Sequence, residues 1–282
     1  MFKPPLPDLV LEPIVRLALA EDLGRAGDVT SDAVIDPTLE ARYILRARQP
    51  GVIAGLDAAG LTAWLVDPDL TFDVRIGDGE IAGPRDTIAE IAGPARSILI
   101  AERTMLNFIG RLSGVATLTR AYADAIAGTG AQIAGTRKTT PGLRALEKRA
   151  LRLGGAGAHR YGLDDAILIK DNHIAAAGGV SAALTRARAY AGHMMVIEIE
   201  VDTLAQLEEA LPFKPHAILL DNFAIKDLRA AVKIANGACV LEASGGVTLQ
   251  TARAIAETGV DVVSVGALTH SAPALDVGLD AA

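Results

Sequence analysis

From about residue 133 onward, short apolar runs recur along the chain: AQIAG, DAILI, MMVIEIE, HAILL, ACVLEA and DVVSVG. Each gives way to a polar or Gly-rich turn, and most of those turns lead into a stretch with helical spacing. In one such stretch Thr140-Pro141 predicts a helix start with Pro in the first turn. Leu143, Leu146, Ala150 and Leu153 form its apolar stripe, and Gly154-Gly155 end it. In another, Leu204, Leu207 and Leu211 line one face before Pro212. Continuous apolar runs are the pattern of strands buried on both faces, so alternation with helices predicts a parallel sheet.

Residues 1 to 112 follow a different pattern. ARYILRARQ, LTFDVRIGDGE and DTIAEIAG read as strands, with Gly77-Asp78-Gly79 as a turn. A helix is expected near Leu56–Val66 and another after Gly93-Pro94, giving a smaller α+β domain whose boundary falls within a helical region. The opening MFKPPLPDLVLEPIVRLALAEDLG fits an amphipathic helix ending near Gly24. Glu12, Arg16 and Glu21 interrupt its apolar residues, so it does not read as a signal peptide. No uninterrupted apolar window approaches the length of a membrane span. A soluble, cytoplasmic protein with no membrane partner is expected.

The 282 residues are half apolar, with net charge −7 and pI near 5.3. That balance argues against a nucleic-acid partner, which needs a basic face. The single cysteine, Cys239, excludes an internal disulfide and a cysteine-based zinc site. Its place in an apolar run predicts a buried structural thiol.

Against this acidic background the ends of the six runs stand out. They are Thr136-Arg137-Lys138, Lys170-Asp171-Asn172-His173, Glu200-Val201-Asp202, Asp221-Asn222, Ser244-Gly245-Gly246 and Gly266-Ala267. The carboxyl ends of parallel strands are where α/β barrels and open sheets place their sites. Between Gly135 and His173 there are eight Lys and Arg against four Asp and Glu. Arg144, Lys148, Arg149 and Arg152 read as a solvated helix face. Arg137, Lys138, Arg160 and Lys170 are held instead by strand ends or a Gly-rich turn. Two arginine forks and two lysines suit a ligand carrying two carboxylates plus phosphates.

Downstream the sign reverses. Glu200 and Asp221 suit Mg²⁺ or sugar hydroxyls, because hard cations prefer oxygen donors. Glu198 is read equally well as an ion pair inside the barrel. Ser244-Gly245-Gly246 before a helix, paired with the VSVGALT loop, suits a phosphate. His159 is a candidate ligand contact or helix-end group, and His173 a loop-orienting one. His193, His216 and His270 lack metal-ligand spacing, and the chain has no Walker-type loop or GxGxxG fingerprint.

The segments carrying this chemistry resemble the quinolinate phosphoribosyltransferase family (nicotinate-nucleotide pyrophosphorylase, carboxylating). They are AEDLGRAGDVTSDAVI (20–35), ERTMLNFIGRLSGVAT (102–117), GTRKTTPGLRALEK (135–148), HRYGLDDAILIKDNHI (159–174), IEIEVDTLAQLEEAL (197–211), ILLDNF (218–223), LEASGGVTL (241–249) and SVGALTHSAPALDVGL (264–279). The resemblance implies an N-terminal α/β sandwich domain at 1–112 and an incomplete, roughly seven-stranded α/β barrel at 113–269, with 270–282 packing on the first. It implies transfer of phosphoribosyl from phosphoribosyl pyrophosphate to quinolinate with Mg²⁺, giving nicotinate mononucleotide, CO₂ and pyrophosphate. Arg137, His159, Arg160 and Lys170 would surround the quinolinate carboxylates, and Arg103 would reach a neighbouring subunit's site, making a homodimer the minimal unit. Lys138 and Thr139 would contact the donor, Glu200 and Asp221 the ribose hydroxyls and metal, and Ser244, Gly245, Gly246, Gly266 and Ala267 the 5′-phosphate. Lys138, Lys170, Glu200 and Asp221 would carry the chemistry. One departure is Ala158, where the family commonly has Asn.

Three other readings are distinguishable. Lys170 at a strand end could form a Schiff base in an aldolase-type barrel. The chain could be a repurposed paralogue such as the relative associated with molybdate transport, although the cation set looks complete for a dicarboxylate. Nicotinate as substrate would leave four cations facing one carboxylate.

Overall fold

The computed structural model describes residues 5–157 and 159–282, so Ala158 lies outside the described residues. The chain forms two compact units. One comprises Met1–Arg120, Thr139–Gly155 and Leu268–Ala282, and the other Ala121–Lys138 and Ala156–Ala267.

In the first unit α1 (Asp8–Leu23) buries Leu11, Val15 and Leu19, a stripe at four-residue spacing. It stops where expected, at Gly24. Helix α2 (Val29–Val34) is capped by Asp28, whose carboxylate accepts from the backbone N–H groups of Thr30 and Ser31. There follow β1 (Glu40–Ala47), β2 (Gly51–Val52), α3 (Leu56–Val66), β3 (Thr71–Val74), β4 (Ile81–Ala82), β5 (Thr87–Pro94) and α4 (Ala95–Ala125), which runs unbroken through residue 112. A four-stranded antiparallel sheet is completed from the far end of the chain by the last strand, β12 (Val277–Ala281), in the order β12-β1-β5-β3. Its core holds Ile53, Ile88, Ile91, Ile98 and Ile109, each at most 1% exposed. Burying such a side chain contributes about 2 kcal/mol. Helix α4 meets the residues before β12 closely, and a Cβ at Gly114 would lie 1.9 Å from the Pro273 carbonyl oxygen.

Helix α5 (Arg144–Gly154) also belongs to this unit. It begins at Arg144 and not at Thr140-Pro141, because the intervening residues form a turn. The Thr140 carbonyl accepts from Leu143 N, and Gly142 has φ of 81°. Thr140 is held by Glu147, a fully buried carboxylate that accepts from Thr140 N (3.0 Å), Thr140 Oγ1 (2.8 Å) and Arg111 Nη2 (2.6 Å). The expectation of a solvated cationic face on α5 fails at Arg149. Its side chain is 12% exposed and pairs with Asp57 and Asp78.

The second unit is built on a parallel sheet of β6 (Gln132–Gly135), β7 (Ile167–Ile169), β8 (Ile197–Val201), β9 (Ala217–Asp221), β10 (Val240–Ser244) and β11 (Val262–Val265). Their order is β6-β11-β10-β9-β8-β7. These are the six apolar runs. Gly157 adds an isolated parallel bridge to Ala134 of β6, a seventh position at that edge. Among the described residues β6 and β7 are the two edges of the sheet and do not pair, so the barrel is incomplete. Helices α6 (Asp171–Ala177), α7 (Val180–Tyr190), α8 (Leu204–Ala210), α9 (Ile225–Ala235) and α10 (Leu249–Ala256) follow successive strands, and α11 (Ala267–His270) follows β11. On α8 Leu207 and Ala210 are buried, and a 3₁₀ turn over Leu211–Phe213 accommodates Pro212. Cys239 is half-buried rather than fully buried, because it precedes β10 and lies outside the continuous core. Burial and the nearby Asp261 raise its thiol pKa. Among the described residues no helix is long and apolar enough to cross a membrane.

Candidate active site

All six charged or Gly-rich clusters anticipated at strand ends lie at the carboxyl ends of β6 to β11. After β6 the Thr136 hydroxyl accepts from Lys138 N at 3.1 Å, a hydroxyl-closed turn that carries Arg137 and Lys138. Arg137 Nε is buried without a hydrogen bond to the described residues, and Lys138 is exposed. Arg160 sits in the segment leading to β7, where Nη1 donates to Ala166 O at 3.3 Å. Asp165 closes that segment by accepting from the Tyr161 and Gly162 N–H groups. Burial, and then the adjacent Arg137 guanidinium, lower the pKa of Arg160, with Glu198 and Asp165 opposing. Two guanidiniums held near each other with a donor unused are a preformed seat for an anion.

At the end of β7 Lys170 Nζ is hydrogen-bonded to Glu200 Oε2 at the end of β8. Lys170 N donates to His173 Nδ1 at 2.9 Å, so His173 caps α6 and presents its other nitrogen as the donor. Asp221 ends β9 and accepts from Asn222 Nδ2 at 2.7 Å. Asn222 has φ of 56° and donates its N–H to Ser244 O at 2.9 Å, which stitches the end of β9 to the end of β10. Gly245 must remain glycine here, since its φ is 93° and a Cβ would fall 2.1 Å from Asn222 Oδ1. Gly245 and Gly246 then lead to Thr248, which caps α10 by accepting from Thr251 N. Gly266 and Ala267 follow β11 in the same way.

His159 is drawn to the carboxylates. Its Nε2 lies 3.5 Å from Glu198 Oε2 and 3.6 Å from Glu242 Oε1. Of the two readings of Glu198, the interior ion pair is the one its position supports. Glu242 was missed in the sequence, although it stands two residues before the end of β10 as Glu198 stands two before Glu200. Burial, and then the Glu198 carboxylate, push Glu242 up to about 7. Arg103 is exposed on α4, and Thr139 accepts from Arg144 Nε at 3.1 Å; both belong to the first unit.

Cations, carboxylates and glycine turns at one end of a parallel sheet define an α/β enzyme for small, multiply anionic, phosphorylated molecules. The chain belongs to the quinolinate phosphoribosyltransferases: residues 28–113 match the quinolinate phosphoribosyl transferase N-terminal domain and residues 115–280 the C-terminal domain. It is 45% identical to the nicotinate-nucleotide pyrophosphorylase [carboxylating] of Mycobacterium leprae, over 94% of this chain and 95% of that one. With quinolinate phosphoribosyltransferase [decarboxylating] 1b of Nicotiana tabacum the identity is 42%, covering 99% of this chain and 85% of the relative. The solved nicotinate-nucleotide pyrophosphorylase of Francisella tularensis superposes with a TM-score of 0.95 at 38% identity, covering 99% of this chain and 98% of that one.

Proposed function

We infer that the chain transfers the phosphoribosyl group of phosphoribosyl pyrophosphate to quinolinate, with release of CO₂ and pyrophosphate, forming nicotinate mononucleotide for NAD synthesis. The carrying observation is the match of residues 28–113 and 115–280 to the two family domains, together with a strand-end cation set suited to a dicarboxylate. In this reading Arg137, His159, Arg160 and Lys170 hold the two carboxylates and aim the pyridine nitrogen at C1′ of the donor, which supplies proximity. Lys138 and Thr139 face the pyrophosphate. Glu200 and Asp221 serve the ribose hydroxyls. The turns at Ser244-Gly245-Gly246 and Gly266-Ala267 cradle the 5′-phosphate.

The nitrogen lone pair forms the bond to C1′ as the C1′–O bond to pyrophosphate breaks, and the leaving group takes that electron pair. Cations beside the leaving group stabilise the charge that develops there. The ring nitrogen, now cationic, takes up electron density when the C2 carboxylate departs as CO₂, and C2 then gains a proton from solvent. No dedicated general base is required.

Glu200 and Asp221 suit magnesium as hard oxygen donors on neighbouring strands, a pair that substrate phosphates would complete. Bound magnesium supplies positive charge to the pyrophosphate. A cytoplasmic homodimer with Arg103 contributed across the interface belongs to the same reading. It is supported by the exposure of Arg103 and of Leu9, Leu17, Val29 and Val34 on α1 and α2. The test is incubation with quinolinate, phosphoribosyl pyrophosphate and Mg²⁺, following nicotinate mononucleotide. Folded protein yielding no product defeats the reading, and product from nicotinate in place of quinolinate, without CO₂, would redirect it.

A further inference from the structure

One level below Glu200 and Ser244, three ionisable side chains meet inside the parallel sheet. Glu198 projects from β8 and Glu242 from β10, with β9 between them, so the two carboxyls come from alternate strands as a barrel's interior layers do. They are 7% and 5% exposed, and His159 Nε2 lies within 3.6 Å of both. Ser264 of β11 donates its hydroxyl to Glu242 Oε1, which fixes the rotamer of that carboxyl.

Burying such groups is costly, and apolar residues of similar volume would fill the space without that cost. The group that both carboxyls face is the His159 imidazole. A carboxylate at one ring nitrogen sets the orientation of a histidine and which nitrogen carries a proton.

The geometry points to Glu242 as a positioning residue for quinolinate. With Glu198 and Ser264 it holds the His159 ring with Nε2 toward the carboxyl pair, which fixes the orientation in which the ring meets the dicarboxylate. This rests on the reading of His159 as a quinolinate contact. Glu242 itself touches no substrate and acts through His159.

The decisive measurement is a double-mutant cycle on the full-length protein. KM for quinolinate and for phosphoribosyl pyrophosphate is determined for wild type, Glu242→Gln, His159→Ala and the double variant. Glu242→Gln keeps the shape but sets an amide in place of the carboxyl that faces His159 Nε2, and it is expected to raise the quinolinate KM about ten-fold. The donor KM should stay within about two-fold, since Glu242 acts through His159, which this reading assigns to quinolinate. In the His159→Ala background Glu242→Gln should add nothing, because its effect passes through the ring.

Losses that multiply in the double variant, or an unchanged quinolinate KM, overturn the inference. So does stoichiometric zinc that is present in the wild type and lost on Glu242→Gln, which would make the cluster a metal site. If Glu242→Gln does not fold, Ser264→Ala decides in the same cycle, with an expected rise of about three-fold that vanishes without His159. A wild type that makes no product from quinolinate defeats the functional reading. An active wild type with multiplicative losses defeats only the role of Glu242.

Discussion

Lys170 Nζ and Glu200 Oε2 form an ion pair that ties the carboxyl end of β7 to that of β8. The lysine side chain is 44% exposed and the glutamate 12%, so the ammonium faces the open side of the pair. The proposed function makes it a charge partner and not a nucleophile. Lys170→Met should lower catalytic efficiency toward quinolinate about 100-fold, in keeping with truncating one member of a bonded charge pair. Borohydride with a carbonyl substrate should leave the wild type unlabelled by mass spectrometry. A trapped adduct on Lys170 would restore the aldolase reading.

Arg137 offers a buried Nε that no described residue uses. Arg137→Ala is expected to weaken quinolinate binding by roughly 100-fold, the loss of a charge-assisted bidentate contact. Phosphoribosyl pyrophosphate binding should change several-fold at most. Calorimetric titration with each ligand separately checks this, and equal losses would refute the division of labour between Arg137 and Lys138.

Glu242 makes stability depend on pH in a predictable direction. Its ordinary value is 4.5 and the fold raises it to about 7, so in that window the folded state binds the proton more tightly than the unfolded chain. The stabilisation is complete below 4.5 and is lost as pH rises through about 7, amounting to roughly 3 kcal/mol. Glu242→Gln removes this dependence. Denaturant melts between pH 4.5 and 8 should show the variant gaining on the wild type as pH rises, and parallel curves would refute it.

Removing Arg149 should damage the fold. Asp57 and Asp78, each side chain 11% exposed, would be left facing each other without their counter-ion. Burial already raises the Asp78 pKa despite Arg149. Arg149→Ala is expected to cost about 3 kcal/mol in urea unfolding. Asp78→Asn in the same chain should recover part of it, and independent, additive losses would argue against the pairing.

Chelation separates the metal from the pocket. Excess EDTA should abolish nicotinate mononucleotide formation while leaving quinolinate affinity within about two-fold, because the dicarboxylate is held by side-chain cations.

The six parallel strands were legible because strands buried on both faces read as uninterrupted apolar runs, and the strand-end residues followed from where those runs stop. What stayed hidden depends on partners distant in sequence. Arg149 looks like any helix-face cation until Asp57 and Asp78 arrive from far earlier in the chain. Glu242 reads as a lone charge in an apolar strand, and only the β8-β9-β10 order brings Glu198 to it. Pro141 resembled a helix start, but Gly142 behind it turns the chain and delays the helix to Arg144.

The close approach of Gly114 to the Pro273 carbonyl bears on how far the chain can be shortened. Residues 273 to 276 run past α4 into β12, which covers one edge of the eight-residue strand β1. A chain cut before Ala272 would bare that edge as a template for other molecules. It would self-associate while every residue at the parallel-sheet strand ends was still present, so a loss of activity on trimming the C-terminus would report aggregation rather than chemistry.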